Sequence, residues 1–292
     1  MFKPLLMKAD ALMTSNPFDL STQHVVPTVR PAGVAQPAAP KVAVRSPIIG
    51  VLGAKGGVGA TTIAINIAAA LGRNNQKTTL IDANLQHPDA SIVLGRDHNF
   101  SVMELIERSG QVDENMLEAC TTPLSDTLPA CRLLSPPLDG GAGVSTHLSE
   151  LADCLSTMRQ HSSYWVIDLP KHLDRHLVTL MDRCDRIVLV FEATLPSLTA
   201  ARRWIKVLQE LDYPTERLIF TLNRTGGKVK LVEQQLEAIA PFGELHRIPN
   251  AYELCEKSVA RCEPALVTQP RAPYSVAIIK LADSLVRGLT NG

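Results

Sequence analysis

The sequence lacks the features that would assign it to a membrane, secreted or nucleic-acid-binding class. No apolar run approaches the ~20 residues that a membrane-spanning helix needs. The apolar stretch at the N-terminus is too short for a signal peptide and is interrupted by Pro4, Lys8 and Asp10. Since 29 basic residues balance 29 acidic ones, the whole chain gives no strong electrostatic signal for nucleic acid. These absences predict a cytoplasmic protein without a transmembrane segment.

Cysteines with metal-binding spacing and abundant aromatic residues are also missing. The six cysteines include no CxxC pair and no cysteine–histidine cluster with zinc-finger spacing, and we interpret them as reduced thiols. Aromatic residues make up 4% of the chain and apolar residues 45%, so the core is expected to consist mainly of Ala, Val, Ile and Leu.

Residues 1–47 differ in composition from the rest of the chain. Residues 25–47 carry five prolines and many alanines without a helical or strand period, which predicts an extended, flexible linker. Residues 2–15 are either a disordered tail or a short docking helix for a partner, and the tail is the favoured interpretation. A single globular domain is expected over residues 48–292.

Short apolar runs alternate with amphipathic helical stretches from residue 48 onward. This alternation predicts an α/β fold with a mostly parallel sheet covered by helices on both faces. The expected strands are PIIGVLG, TTLIDA, YWVIDLP, RIVLVFEAT and RLIFTLNR, with two short ones near 119–122 and 130–134. The expected helices are ATTIAINIAAALGR, SVMELIERSG, VDENMLEAC and STHLSELADCLSTMRQ, followed by 173–183, 195–212, 230–239, 250–260 and 273–289.

The segment from residue 49 to residue 62 reads IGVLGAKGGVGATT and joins a predicted strand to a predicted helix. In a phosphate-binding loop, G-x-x-x-x-G-K-[ST], backbone N–H groups wrap the phosphates, the lysine reaches the β- and γ-phosphates and the hydroxyl holds Mg²⁺. Here Ala54 replaces the first glycine and Ala60 the lysine, whereas Thr61 keeps the Mg²⁺ position. We predict an ATP and Mg²⁺ site with a cradle formed by Gly56, Gly57, Val58, Gly59, Ala60, Thr61 and Thr62.

Two further aspartates are candidates for the same Mg²⁺ site. Asp168 ends the apolar strand YWVIDLP, and an acidic residue at such a strand end, after a phosphate loop, holds Mg²⁺ through water. Thr61 and Asp168 are therefore expected at the Mg²⁺ site. Asp82 also ends a strand, TTLIDA, and its role at the metal is implied by the resemblance described next.

The string K-G-G-V-G-A-T-T resembles the signature of the ParA/MinD superfamily of deviant Walker ATPases. This resemblance implies a face-to-face homodimer in which Lys55 contacts the partner's phosphates and acts as a catalytic residue. It also implies that Asp82 and Asn84 organise the metal and the attacking water, and that Asn223, Arg224 and Pro249 recognise adenine. The superfamily normally carries K-G-G-x-G-K-T and D-x-D, so Ala60 and Asn84 are departures.

Both departures predict weak or absent ATP hydrolysis. One charge-assisted phosphate contact is worth about 1.5–3 kcal/mol, so its loss at Ala60 weakens nucleotide binding by about one to two decades. Hydrolysis suffers more, because a lysine that neutralises phosphoryl charge matters most in the transition state. The Asn84 amide orients water but cannot accept a proton as a carboxylate does.

Within the superfamily the sequence looks most like the CpaE/TadZ branch, because of Ala60, the D-x-P at Asp168 and the stretch RIPNAYELCEKSVARCEPALV. This likeness implies a localisation or assembly factor for a Tad/Flp type IV pilus or a similar secretion machine. Its partners would be machinery proteins that recruit it to the inner membrane or a cell pole.

Other functions remain open on the sequence alone. A partition ATPase would need an exposed basic surface. A flagellar-placement ATPase would usually end in a membrane-binding helix. Cellulose-secretion relatives share the same fold and are a further possibility. A non-catalytic scaffold that keeps the fold and the dimer but has lost turnover is a further alternative, favoured by Ala60 and Asn84.

Overall fold

The computed structural model describes residues 46–96, 100–108, 112–138, 147–226, 236, 244–287 and 289. The predicted tail and almost all of the predicted linker lie outside these residues, as does the helix predicted at 230–239 except for residue 236. The predicted division of the chain at residue 47 therefore stays a prediction.

The described part of the chain alternates strands and helices from its start. The strands are β1 (Ile48–Gly53), β2 (Thr78–Asp82), β3 (Thr122–Pro123), β4 (Cys131–Leu134), β5 (Tyr164–Leu169), β6 (Arg186–Glu192), β7 (Leu218–Thr225) and β8 (Glu244–Pro249). The helices are α1 (Ala60–Gly72), α2 (Asp89–Leu94), α3 (Val102–Glu107), α4 (Glu114–Ala119), α5 (Leu148–Met158), α6 (Arg175–Asp182), α7 (Leu195–Glu210), α8 (Tyr252–Ala260), α9 (Ala265–Thr268) and α10 (Pro273–Val286).

All eight strands form one sheet in the order β3-β4-β2-β5-β1-β6-β7-β8. Every neighbouring pair is parallel except β3 and β4. The predicted fold class is confirmed, and the carboxyl ends of β1, β2, β5, β6, β7 and β8 share one edge of the sheet. In open parallel sheets this edge is where ligands bind.

Both faces of the sheet are covered, because the central strands are buried at nearly every position and carry apolar side chains on both sides. In β1, Ile48 and Leu52 face the core that α5, α6 and α7 cover, whereas Ile49 and Val51 face the core under α1 and α10. Fully burying one such aliphatic side chain contributes about 1.5–3 kcal/mol. The sheet is thereby a rigid platform for the loops at its carboxyl edge.

The strand β8 was not indicated by the sequence. Its residues Glu244, His246 and Arg247 are exposed or half-buried, so the strand shows neither an apolar run nor a clean alternation. It lies at the edge of the sheet and pairs only with β7. Backbone pairing with a strongly apolar neighbour, rather than its own side chains, decides its conformation. No helix within the described ranges is both long and apolar enough to cross a membrane.

Candidate functional site

The phosphate loop connects the end of β1 to the start of α1. Gly57 and Gly59 have φ angles of 80° and 85°, in the left-handed region that favours glycine. Gly56 and Gly57 are exposed, so their backbone groups are open to a ligand. The N-terminus of α1 carries no acidic residue in its first turn, and its free N–H groups with the helix dipole favour an anion.

The two lysine positions of the loop differ in the structure as they do in the sequence. Lys55 is partly exposed, and its Nζ donates a hydrogen bond to the carbonyl oxygen of Gly56 at 2.9 Å. Ala60 is buried at the first position of α1 and offers only a methyl group. The charge that a lysine would bring to this point is therefore missing from the loop itself.

Thr61, Asp82 and Asp168 come together at the centre of the sheet edge. Asp82 and Asp168 are register partners of the parallel strands β2 and β5. The Thr61 hydroxyl donates to Asp168 Oδ2 at 2.6 Å. Asp82 accepts from the backbone N–H groups of Asn84, at 3.0 Å, and Ala90, at 2.9 Å. The structure thus unites the three residues predicted for the metal, while the Asn84 side chain stands half-buried in the following turn.

Burial raises the pKa values of both aspartates well above the usual carboxyl range. The pKa of Asp168 is raised further by the negative charge of Asp82, and the Thr61 hydrogen bond opposes this only in part. Two buried carboxyl groups with raised pKa values favour binding a proton or a cation. Carboxylate and hydroxyl oxygens are the donors that Mg²⁺ prefers, so this donor set fits that ion.

Asn223 ties the end of β7 to the phosphate loop. Its Nδ2 donates to the carbonyl oxygen of Val58 at 2.9 Å, and its Oδ1 accepts from the Arg224 N–H at 2.9 Å. A Cβ on Gly59 would lie 2.7 Å from Asn223 Nδ2, so this contact requires glycine. Half of the hydrogen-bonding capacity of the Asn223 amide is therefore used to hold the site together.

A small cavity lies beside this contact, between the carboxyl ends of β7 and β8 and the helices α8 and α10. The three residues predicted to recognise adenine, Asn223, Arg224 and Pro249, all line it. Gly59 and Thr62 of the phosphate loop line it too, which connects it with the phosphate cradle. The Arg224 guanidinium forms an ion pair with Glu192, so this cation is held at the rim.

The sequence interpretation missed several side chains at this edge. Lys171 follows Asp168 by three residues, forms no ion pair with any described residue, and its positive charge lowers the pKa of Asp168. Tyr252 and Tyr274 line the cavity from α8 and α10. Lys171 could have been found from the sequence, because it follows the strand-end Asp168 by only three residues. The two tyrosines could not, because the sequence patterns of their helices indicate only packing.

The family model described as "AAA domain" matches residues 46–219, which contain β1 to β6, the phosphate loop and both aspartates. The chain belongs to this family, within the ParA/MinD superfamily of P-loop ATPases.

Individual relatives are distant. The septum site-determining protein MinD of Thermotoga maritima is 25% identical over 179 residues, which cover 61% of this chain and 64% of that protein. A ParA family ATPase from Chlorobium tepidum superposes with a TM-score of 0.73 at 22% identity, covering 81% of this chain and 98% of that one. MinD from Pyrococcus horikoshii, solved with Mg-ADP, gives 0.65 at 21% identity, covering 84% and 98%. The chain spans just under two thirds of the Thermotoga protein's length.

Proposed function

We propose that the chain binds ATP with Mg²⁺ at the carboxyl edge of its sheet. The observation that carries this proposal is the hydrogen bond between Thr61 of the phosphate loop and the buried Asp168, beside Asp82. These carboxyl and hydroxyl oxygens are the kind of donors that a nucleotide-bound Mg²⁺ requires. No described lysine or arginine forms an ion pair with Asp82 or Asp168. In the solved Pyrococcus relative the bound group is Mg-ADP, which supports a Mg-nucleotide for this fold.

Turnover is proposed to be slow or absent. Ala60 supplies no charge to the transferred phosphoryl group, and Asn84 places an amide where a carboxylate would assist water attack. Asp82 is capped by two backbone N–H groups and serves the structure of the turn as well as the metal. Lys55, Asp82 and Asn84 are proposed as the catalytic residues of any remaining ATP hydrolysis.

Nucleotide binding is proposed to control a homodimer. Lys55 is the only lysine of the loop 54–62, it is partly exposed, and its Nζ bonds to the neighbouring Gly56 carbonyl. A side chain held by one exposed contact can turn outward to a second copy. In the superfamily that this loop resembles, the corresponding lysine reaches the partner's phosphates.

The decisive experiment compares the wild-type protein with Lys55→Ala. ATP binding, phosphate release and mass by light scattering are measured with Mg²⁺, and Lys206→Ala on α7 serves as a control for losing an exposed lysine. We expect the wild type to bind ATP and dimerise, Lys55→Ala to lose the ATP-dependent dimer, and the control to behave like the wild type. Absence of ATP binding at millimolar concentration would refute the nucleotide site, and rapid phosphate release would refute slow turnover.

The cellular role is proposed to be that of a CpaE/TadZ-type localisation and assembly factor for a Tad/Flp pilus or a similar secretion machine. Its support is the Ala60 loop together with the D-x-P at Asp168 and the RIPNAYE stretch. Deleting the gene should abolish surface pili, and only the wild-type gene, not Lys55→Ala, should restore them. Normal pili in the deletion strain, together with misplaced division sites or flagella, would favour a MinD- or ParA-type role.

A non-hydrolysing scaffold is the second candidate, favoured by Ala60 and Asn84. It requires the dimer to form equally well with and without ATP. The light-scattering comparison distinguishes it from a nucleotide-controlled switch.

A further inference from the structure

The cavity beside the phosphate loop is lined by a tyrosine whose buried hydroxyl has no hydrogen-bond partner among the described residues. Tyr274 stands in the first turn of α10 and is 3% exposed. Its hydroxyl has no hydrogen-bond partner among the described residues, although the side chain lines the cavity. A buried polar group without a partner destabilises the folded chain, and a ligand can recover this cost by supplying the partner.

The neighbouring amide is less available than its position suggests. Asn223 already donates to Val58 and accepts from Arg224, so one N–H and one lone pair remain for a ligand. Those two contacts also fix its orientation. The Tyr274 hydroxyl, in contrast, keeps its full capacity to donate and to accept. Burial raises the pKa of Tyr274, so the hydroxyl stays protonated at neutral pH and can donate.

The rim of the cavity suits a flat heterocycle. Tyr252 is 68% exposed at the start of α8, where its ring is available as a stacking surface. Stacking of a base on an aromatic ring strengthens binding, because every base has a flat π-face. Pro249 and Cys255 add further apolar surface.

We infer that the Tyr274 hydroxyl hydrogen-bonds the edge of the nucleobase, which stacks on Tyr252 at the rim of the same cavity. This inference rests on the proposed ATP site and adds two recognition residues to it. Asn223 then acts mainly as the connection between this cavity and the phosphate loop.

Tyr274→Phe tests the hydroxyl while keeping the ring. We expect ATP affinity, measured by calorimetry with Mg²⁺, to fall about ten-fold because the base loses its partner. The melting temperature without nucleotide should stay the same or rise, because the variant also removes an unsatisfied buried group. A tyrosine with a purely structural role would show a lower melting temperature and an unchanged ATP affinity.

Tyr213→Phe is the matched control. Tyr213 is also buried, but its hydroxyl donates to Asp182 at 2.6 Å, and neither residue lines the cavity. This variant should lower the melting temperature and leave ATP affinity unchanged. Tyr252→Ala should weaken ATP binding about ten-fold with little change in melting temperature, since its ring is exposed.

Each outcome decides one of the two proposals. If the wild type binds ATP and Tyr274→Phe binds it equally well, the hydroxyl does not contact the base and the inference is wrong, while the ATP site stands. If Tyr274→Phe melts lower with unchanged affinity, the hydroxyl has a structural partner and the inference is equally wrong. If the wild type itself fails to bind ATP, the proposed function fails first.

Discussion

The two halves of the candidate site are built from opposite chemistry. The phosphate half comprises Lys55, Thr61, Asp82 and Asp168. It is charged, lies on the phosphate loop, the start of α1 and the strands β2 and β5, and buries two carboxyl groups. The base half comprises Asn223, Arg224, Pro249, Tyr252 and Tyr274, at the ends of β7 and β8 and on the helices behind them. It is neutral overall, because Arg224 is paired with Glu192. The charged half has Ala60 at the lysine position of the loop, whereas the residues proposed for base recognition all line one cavity. The affinity for a nucleotide is therefore expected to depend more on the base half than it does in a site that keeps the loop lysine.

The largest change should follow from removing Asp168 from the charged half. In Asp168→Asn the Thr61 hydroxyl keeps a neighbour of the same shape, but the carboxylate proposed to hold Mg²⁺ is gone. We expect the Mg²⁺-dependent part of ATP affinity to fall about 100-fold. Titration with and without Mg²⁺ measures this. Asp174→Asn, at the N-cap of α6, should have no such effect. Equal affinity of Asp168→Asn and the wild type would show that the pair does not hold the metal.

The second largest effect should come from restoring the missing cation. Ala60→Lys adds a charge-assisted phosphate contact of about 1.5–3 kcal/mol, so ATP affinity should rise about 10- to 100-fold. Phosphate release should also become faster. Ala60→Gln, of comparable length without the charge, is the control. A gain in both variants alike would assign the effect to packing at this buried position instead.

A third test disturbs the contact between Gly59 and Asn223, which joins the two halves of the site. Gly59→Ala forces a side chain onto a φ of 85° and against Asn223 Nδ2, so we expect a loss of about 1–3 kcal/mol in the free energy of unfolding and weaker ATP binding. Gly56→Ala is the matched control, because a Cβ at this position would have no described atom within 4 Å and the φ of Gly56 is not left-handed. Chemical denaturation measures both. Equal stability of the two variants would contradict the tie between the halves.

The smallest expected effect is a pH dependence of the nucleotide-free protein. Because the pKa values of Asp82 and Asp168 are raised, to about 7 and about 8, the folded chain binds more protons than the unfolded chain between about pH 4 and pH 8. Their contribution to the free energy of unfolding is thus fully present at low pH and falls as the pH rises through this window. We expect the free energy of unfolding to decrease from pH 5 to pH 8.

Two comparisons identify the source of that pH dependence. Asp168→Asn should show a flatter profile, because it removes one titrating group and the repulsion on the other. Mg-ATP should also flatten it by compensating the charge. A profile identical in wild type and variant would place the titration elsewhere in the molecule.

The charged half of the site was predictable from the sequence, and the neutral half only in part. Asp82 and Asp168 each follow an apolar run, and parallel strands must end at one edge, so their meeting follows from the pattern. The edge strand β8 has no such pattern, because pairing with β7 rather than its own side chains fixes it. Tyr274 belongs to a helix whose periodicity indicates packing, and only the tertiary structure shows that its hydroxyl has no described partner.

The side-chain amide of Asn223 has a consequence for biosynthesis. It bonds to the backbone of Val58, a residue 165 positions earlier. During translation, all residues of the phosphate half have been synthesised once Asp168 is added. The hydrogen bond that joins this half to the base half can form only after Asn223 has been added. The cavity is lined in full only after Tyr274 has been added. A nascent chain that stops before α10 should therefore gain little from cellular ATP as a folding ligand. Stabilisation by the proposed nucleotide is therefore expected only after Tyr274 of α10 has been translated.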